Sequence, residues 1–341
     1  VLLVARYAPL DSPGSRIRLA RALALLVSRR PPRHALASQG IRERTSVAAL
    51  ANATMDISVV VATRNRATKL EACLASFQSI DAAGIDWELV VVDNGSSDAT
   101  AERVQHLIAS HRYPLRLLRE PAPGVSRARN RGAAESQGRI LVFLDDDCYI
   151  SPEFFRHALR IFADPALGFT AGRVEPFDET DAPVSIFSMS QAKRFDAGGV
   201  ILPGEMPGSG FAVRREAWEQ TGGYDERLGP GTRLRASEDV DLQQRLLGAG
   251  WAGLYDPTLW VYHHHGRKQA EADRTRRGYD ISVGAVYMKR FLNGPARGRY
   301  AKHLYWEFRS DLRSGRGARY PRMLYGACLY LWSLLSWGGR S

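Results

Sequence analysis

Three apolar runs constrain this chain more than anything else in it: residues 57–62, 87–92 and 139–144 are rich in β-branched residues, of strand length, and apolar nearly throughout. Between them lie segments of a different period. Residues 69–80 place Leu70, Cys73, Leu74 and Phe77 at helical spacing, residues 99–110 follow the capping turn Asp93-Asn-Gly-Ser-Ser-Asp98, and residues 126–136 read as a further helix with Gly138 as its stop. Residues 115–119 add another strand. Strand alternates with helix, which predicts an α/β fold with a mostly parallel central sheet flanked by helices.

The polar residues fall at the ends of these strands. Thr63-Arg64-Asn65 follows the first, Asp93-Asn94 the second, and Asp145-Asp146-Asp147 the run at 139–144. Parallel sheets bind ligands at the carboxyl ends of their strands, so clusters that are ordinary turns one by one become a candidate site together. Three adjacent carboxylates repel one another unless a cation lies between them, and a hard divalent ion, Mg²⁺ or Mn²⁺, fits their oxygens. Such an ion would in turn bridge a diphosphate. A solvated acidic turn, or a cap for a helix starting near Ser151-Pro152, accounts for one aspartate but not three.

Composition limits the rest. With 341 residues and 45% hydrophobic content the chain is globular, and a formal charge of +11 favours anionic partners without choosing among them. Cys73, Cys148 and Cys328 stand far apart with no CxxC spacing, which suggests a reducing compartment and no zinc ribbon or disulfide framework. The first residue is Val, which fits a fragment or a processed chain. Residues 1–54 read as a basic leader with a helix at 17–27, residues 55–265 as the catalytic domain, and residues 266–341 as a basic, aromatic-rich helical region. No run reaches the roughly 18–20 apolar residues of a membrane span.

The second half adds an acidic pair and a histidine triplet. Glu238-Asp239 opens a helical pattern that ends at Gly248, where the pair serves either as an N-terminal cap or as a catalytic acid–base group. Residues 251–255 and 260–265 read as two short strands, the second ending in His263-His264-His265. Alternation along a strand lets at most His263 and His265 share one centre. Two Gly-rich stretches, residues 203–210 and 228–235, read as loops at the site, the second mobile over the substrate.

In this order and at these spacings the motifs resemble family 2 glycosyltransferases, which have the Rossmann-like GT-A fold. They are Val59-Val-Val-Ala-Thr-Arg-Asn65, Val91-Val-Asp-Asn-Gly-Ser-Ser-Asp98, Ala128-Arg-Asn-Arg-Gly132, Phe143-Leu-Asp-Asp-Asp147, Gly222-Gly-Tyr-Asp225 and Ser237-Glu-Asp239. The resemblance implies an inverting, metal-dependent transfer of a sugar from a UDP-, GDP- or dTDP-sugar to a hydroxyl of a glycan or lipid-linked acceptor. Residue by residue it implies that Thr63 and Asp93, with Arg64 and Asn65 beside them, hold the nucleotide base, and that Arg129 sits near base and phosphates. Asp145 and Asp147 match the ends of the DxD motif, Asp145 near ribose and metal, Asp147 on the metal, with Asp146 between them on the donor side. Cys148 stands where many relatives have a fourth acidic residue, so no coordination is expected there. Asp239 matches the base, with Glu238 next in line. His263, then His265, matches a histidine that completes the metal site, and Gly208, Ser209 and Gly210 match the acceptor-side loop.

Two readings from other classes are a sugar-phosphate nucleotidyltransferase, for which the phosphate loop after the first strand is missing, and a non-catalytic nucleotide or nucleic-acid binder. No nucleic-acid partner is expected. Residues 320–337, aromatic and flanked by Arg319, Arg322 and Arg340, suit either a helix at a membrane interface or one packed on the domain. A cytoplasmic protein, peripheral on the membrane, is the expected setting.

Overall fold

The computed structural model describes residues 54–110, 113–294 and 296–337. The expected leader, with its helix at 17–27, lies outside them except for Thr54. The three apolar runs become β1 (Met55–Thr63), β2 (Trp87–Asp93) and β4 (Gly138–Asp145), and β3 (Leu115–Arg119) joins them. They lie in the order β3-β2-β1-β4, all parallel. Register does the rest: Thr63 pairs with Asp93 and Ala62 with Asp145, so the polar clusters share one edge.

Alternate residues on these strands face opposite layers. Val59, Val61, Val142 and Leu144 pack with Leu70 and Leu74 of α1 (Ala67–Ser76) and Val104 of α2 (Thr100–Ser110). Val60, Val90, Leu141 and Phe143 pack on the other side with Ala128 and Ala133 of α3 (Val125–Ala134). Burial on both faces is why the strands read as continuous apolar runs. Gly132 is required for this contact, because a Cβ there would overlap Val60. Gly138 is not the helix stop that the sequence suggested: α3 ends at Ala134, and Gly138 opens β4, where its N–H donates to Ser58 Oγ at 2.7 Å.

Beyond β4 the sheet becomes mixed. After β5 (Cys148–Ile150) and α4 (Phe154–Ile161), β6 (Leu167–Pro176), β7 (Lys193–Phe195), β8 (Phe211–Arg214) and β9 (Ala252–His263) extend it. β8 runs antiparallel to β4 and β6, and β5 and β7 antiparallel to β9. The mostly parallel sheet expected from the sequence thus describes the half built from β1 to β4. The direction of short strands such as β5 and β7 leaves no local signature. The two strands expected at 251–255 and 260–265 are one strand, β9, continuous through Asp256-Pro257. Asp256 Oδ1 accepts from the N–H and the hydroxyl of Thr258 at 2.9 and 2.7 Å, and the register against β6 shifts beside this point.

α5 (Arg215–Thr221) and α6 (Glu238–Gly248) cover the α3 side of the sheet. Three further helices follow: α7 (Gln269–Asn293), α8 (Arg297–Arg313) and α9 (Tyr320–Trp337). α9 lies on α7 at close approach, since a Cβ on Gly284 would overlap Met323 O and one on Gly326 would overlap Ile281 O. Tyr300 of α8 donates to Gln244 Oε1 of α6 at 2.6 Å, binding the helical region to the rest. Among the described residues no helix is long and apolar enough to cross a membrane.

Candidate active site

The strand ends open into a cavity of about 840 Å³. Thr63, Arg64, Arg66, Asn94, Arg129 and Asp145–Asp147 line it, together with Gly208, Ser209, Glu238, Asp239 and Tyr279. Most of the expected residues therefore meet in one place. Asn65, Asp93, Gly210 and His265 do not reach its wall. Asn65, at φ 53°, accepts from the Ser97 N–H at 2.7 Å and fastens the end of β1 to the loop after β2. Asp93 is buried below that loop, with Oδ1 accepting from the Ser96 N–H at 3.0 Å. Gly210, expected in the acceptor loop, is turned inward against Val261 and Phe154, because its φ of 65° bends the chain into β8.

Charge in the cavity is arranged around two arginines. Arg129 is buried and bridges two elements, its Nη2 donating to Asp145 Oδ1 at 2.6 Å and its Nη1 to Glu238 Oε1 at 2.8 Å. Arg66 Nη1 donates to Asp146 Oδ1 at 2.6 Å and its Nη2 lies 3.0 Å from Asp147 Oδ2. Asp146 also accepts from Thr63 Oγ1 at 2.8 Å, so it is tied on both oxygens and serves the framework. Burial and the neighbouring Asp147 charge push the Asp146 carboxyl up to about 6, against Arg66 and Thr63. Burial raises Asp147 as well, yet the hydrogen bond and charge of His263, with Arg66, hold its carboxyl well below the usual range.

The acidic pair at the start of α6 divides its roles by contact. Glu238 is held by Arg129, and burial together with the Asp239 charge pushes it up to about 7. Asp239, also raised by burial, meets no arginine or lysine at ion-pair distance among the described residues. It lies against Gly208, where a Cβ would overlap its carboxylate. Ser209 ties the same loop to the aspartates, accepting from the Asp145 N–H at 3.3 Å and donating to Cys148 Sγ at 3.1 Å.

The histidines part company. His263 Nε2 lies 3.3 Å from Asp147 Oδ1, His264 Nδ1 bonds the Tyr149 hydroxyl at 2.7 Å, and His265 Nδ1 accepts from the Arg267 N–H at 2.9 Å. Asp147 and His263 fit a divalent ion: ligand bonds of about 2.1 Å at a right angle separate the donor atoms by roughly 3 Å. His263 Nδ1 is buried without a partner among the described residues. Cys148 lies in the same cluster, but burial pushes its thiol far up, so it stays protonated and is a poor ligand for a hard ion. Asp145, expected near the metal, is not part of that cluster; Arg129 holds its Oδ1.

Sequence reasoning missed Arg66 as a site residue, although it follows Thr63-Arg64-Asn65 directly. It also read the segment after Gly266 only as a basic, aromatic-rich helical region with no site residue, whereas Arg267 and Arg274 line the cavity together with Arg235. Tyr279 of α7 joins them, its hydroxyl 2.8 Å from Ser185 Oγ.

A parallel half built from β1 to β4, a mixed second half and an acidic cluster on the shared strand edge define a GT-A fold. Residues 58–221 match the model of the family described as glycosyl transferase family 2, which places this segment of the chain in that family. It is 28% identical over 218 residues to the Pre-mycofactocin glycosyltransferase of Mycobacterium tuberculosis, a match covering 62% of this chain and 43% of that protein. The chain thus spans less than half the length of this curated relative. Among solved structures it is similar to a mannosyltransferase from Pyrobaculum calidifontis in complex with GDP-Man and Mn²⁺, with TM-score 0.56 and 18% identity, covering 92% of this chain and 99% of the other. S. aureus TarS in complex with UDP-GlcNAc follows, with TM-score 0.53 and 17% identity over 74% of this chain and 73% of the other.

Proposed function

We propose that this chain is a metal-dependent, inverting glycosyltransferase that moves a sugar from a nucleoside-diphosphate sugar to an acceptor hydroxyl of a glycan or lipid-linked molecule. The reading rests above all on Asp239, a carboxylate with no arginine or lysine at ion-pair distance among the described residues, which lines the cavity against Gly208 and shares it with the aspartates that end β4. The relatives and structures similar to this chain, with their sugar nucleotides, support the same class. Residues 55–265 supply the catalytic domain in this reading, and side chains between Arg267 and Val283 of the C-terminal region complete the cavity wall.

The donor lies along Thr63, Arg64 and Arg129, with Asp145 at the ribose and Asp93 supporting the loop beneath it. Asp147 and His263 would hold a Mg²⁺ or Mn²⁺ ion, which neutralises charge on the diphosphate when bound. Asp239 takes the proton of the acceptor hydroxyl while that oxygen bonds to the anomeric carbon from the face opposite the nucleotide. The bond to the diphosphate breaks with its electron pair going to the phosphate oxygen, so configuration inverts. Glu238 is a positioning residue in this scheme: it holds Arg129, which holds Asp145. The basic side chains of Arg64, Arg66 and Arg267 face the charge that develops on the leaving group.

A panel of nucleotide sugars tests this, with nucleoside diphosphate release and product anomeric configuration as readouts. Asp239→Asn is expected to lose at least about 10²-fold in turnover while still binding nucleoside diphosphate. Undiminished turnover in Asp239→Asn, or a product of retained configuration, sinks the reading.

A further inference from the structure

α8 presents a surface unlike the rest of the helical region. At about 100° per residue, Lys302, Tyr305, Trp306, Arg309, Leu312 and Arg313 fall on one arc roughly 120° wide. The buried Tyr300 and Asp311 lie on the opposite side. Tyr305, Trp306 and Leu312 are 51%, 55% and 56% exposed, large apolar groups left in water on one helix face. Arg309 stands between the two rings, its guanidinium carbon 5.7 Å from each centroid.

The acidic residues of α8 are all turned away from this face. Glu307 accepts from Arg319 Nη1 at 2.7 Å, and Asp311 is held by Arg316 Nε at 2.9 Å and the Tyr320 hydroxyl at 3.0 Å. Among the described residues, Lys302, Arg309 and Arg313 form no ion pair. The outward arc is therefore aromatic, aliphatic and purely cationic. α9, the segment whose sequence suggested such a contact, spends Met323, Ala327 and Tyr330 on burial within the protein.

We infer that this face of α8 docks the protein on an anionic lipid bilayer. The two kinds of side chain need two kinds of environment side by side. Trp306, Tyr305 and Leu312 need an apolar phase, and the three cations need negative groups at its edge. A bilayer with anionic headgroups offers both within one helix diameter. A nucleic-acid backbone offers the charge but nothing to bury Leu312. The inference stands apart from the transferase reading, since it needs no turnover.

Sedimentation of the whole chain with vesicles tests it, comparing phosphatidylcholine alone with phosphatidylcholine containing phosphatidylglycerol. The unmodified protein is expected to bind only the anionic vesicles and to leave them in high salt. The triple variant Lys302→Gln, Arg309→Gln, Arg313→Gln is expected to bind on the order of 100-fold more weakly, about fivefold per cation. Trp306→Ser with Leu312→Ser is expected to weaken binding to the same vesicles, and both variants keep the parent's thermal melt because the changed positions are exposed. Equal binding to neutral vesicles, no binding to anionic ones, or either variant binding like the parent would overturn the inference. So would a dimer of the free chain that the Trp306–Leu312 variant dissociates, which would assign the face to a second copy.

Discussion

Arg66 Nη2 lies 3.0 Å from Asp147 Oδ2, and the other arm of the same guanidinium reaches Asp146, so the protein itself supplies a cation to the carboxylates that end β4. Adjacent aspartates were expected to need a positive charge, and the divalent ion was the obvious source. The structure adds an internal one. It holds one oxygen of Asp147 while the other faces His263.

Removing that cation has a measurable cost. In Arg66→Met two buried carboxylates lose their partner, which in a fully buried pair costs about 3–5 kcal/mol. Arg66 is about a third exposed and Asp146 takes a proton readily, so a loss of about 1–2 kcal/mol is expected in EDTA. Added Mn²⁺ should recover more stability in the variant than in the parent, because it meets less positive charge. Urea midpoints in EDTA that coincide for the two proteins refute this.

The acidic pair sets a pH dependence. Burial raises both Glu238 and Asp239, Glu238 to about 7, so deprotonating them together is costly near neutrality. A base must be ionised to work, and turnover should therefore rise with pH above the usual carboxylate range and level off once Asp239 is ionised. Glu238→Gln removes the neighbouring negative charge and moves the rise to lower pH. The stability sign is opposite to that of a paired carboxylate. A raised carboxyl contributes stability that is full below its unfolded value of about 4.3 and is lost as pH passes its folded value. Glu238→Gln should gain on the parent in urea melts as pH increases from 5 to 8, at least if Arg129 keeps Asp145. A rate profile flat between those pH values contradicts the assignment.

Much of this site was legible because its strands are covered on both faces and end together. Val59, Val60 and Val61 alternate between two cores, which makes the run apolar throughout, and the parallel register brings Thr63, Asp93 and Asp145 level. The partner of each charge was not legible. Arg129 meets Glu238 across 109 positions, and nothing in either segment names the other. His263, His264 and His265 look equivalent in sequence, but the strand pleat and the turn at Gly266 send them to Asp147, Tyr149 and the Arg267 N–H. The basic segment after Gly266 showed no link to the site because its role depends on α7 bringing Arg274 and Tyr279 to the cavity.

That return of α7 is held by a buried charge. Asp241, on α6 two residues beyond Asp239, is fully buried and meets Arg290 Nη2 at 2.6 Å, Lys289 Nζ at 2.8 Å and Arg245 Nε at 2.8 Å. These cations, above all Lys289, hold its carboxyl below the usual range despite burial. Arg290→Met removes one of three partners and strands part of the charge, for an expected loss of about 2–3 kcal/mol. Asp241→Asn should cost less in an Arg290→Met background than in the parent, a coupling that a double-mutant cycle in urea reads directly. Additive losses would show that the contact does not join α6 to α7.

Gly208 offers the sharpest test of the geometry at the base. Its α-carbon packs against the Asp239 carboxylate so closely that any Cβ must displace one or the other. The loop cannot retreat freely, because Ser209 is tied to the Asp145 N–H and to Cys148. Asp239 is the softer partner, and Gly208→Ala should turn its carboxylate away from the acceptor oxygen. A displacement of about 1 Å at a reacting group costs on the order of 10²-fold in rate. Binding of nucleoside diphosphate should be unchanged, since the nearest atoms that a Cβ on Gly208 would meet all belong to Asp239 and none to Thr63, Arg129 or Asp145. Turnover down by that factor with unchanged diphosphate affinity supports Asp239 as the base. If affinity falls in step with turnover, Gly208 acts on the donor, and the division of the cavity into donor and acceptor sides is wrong.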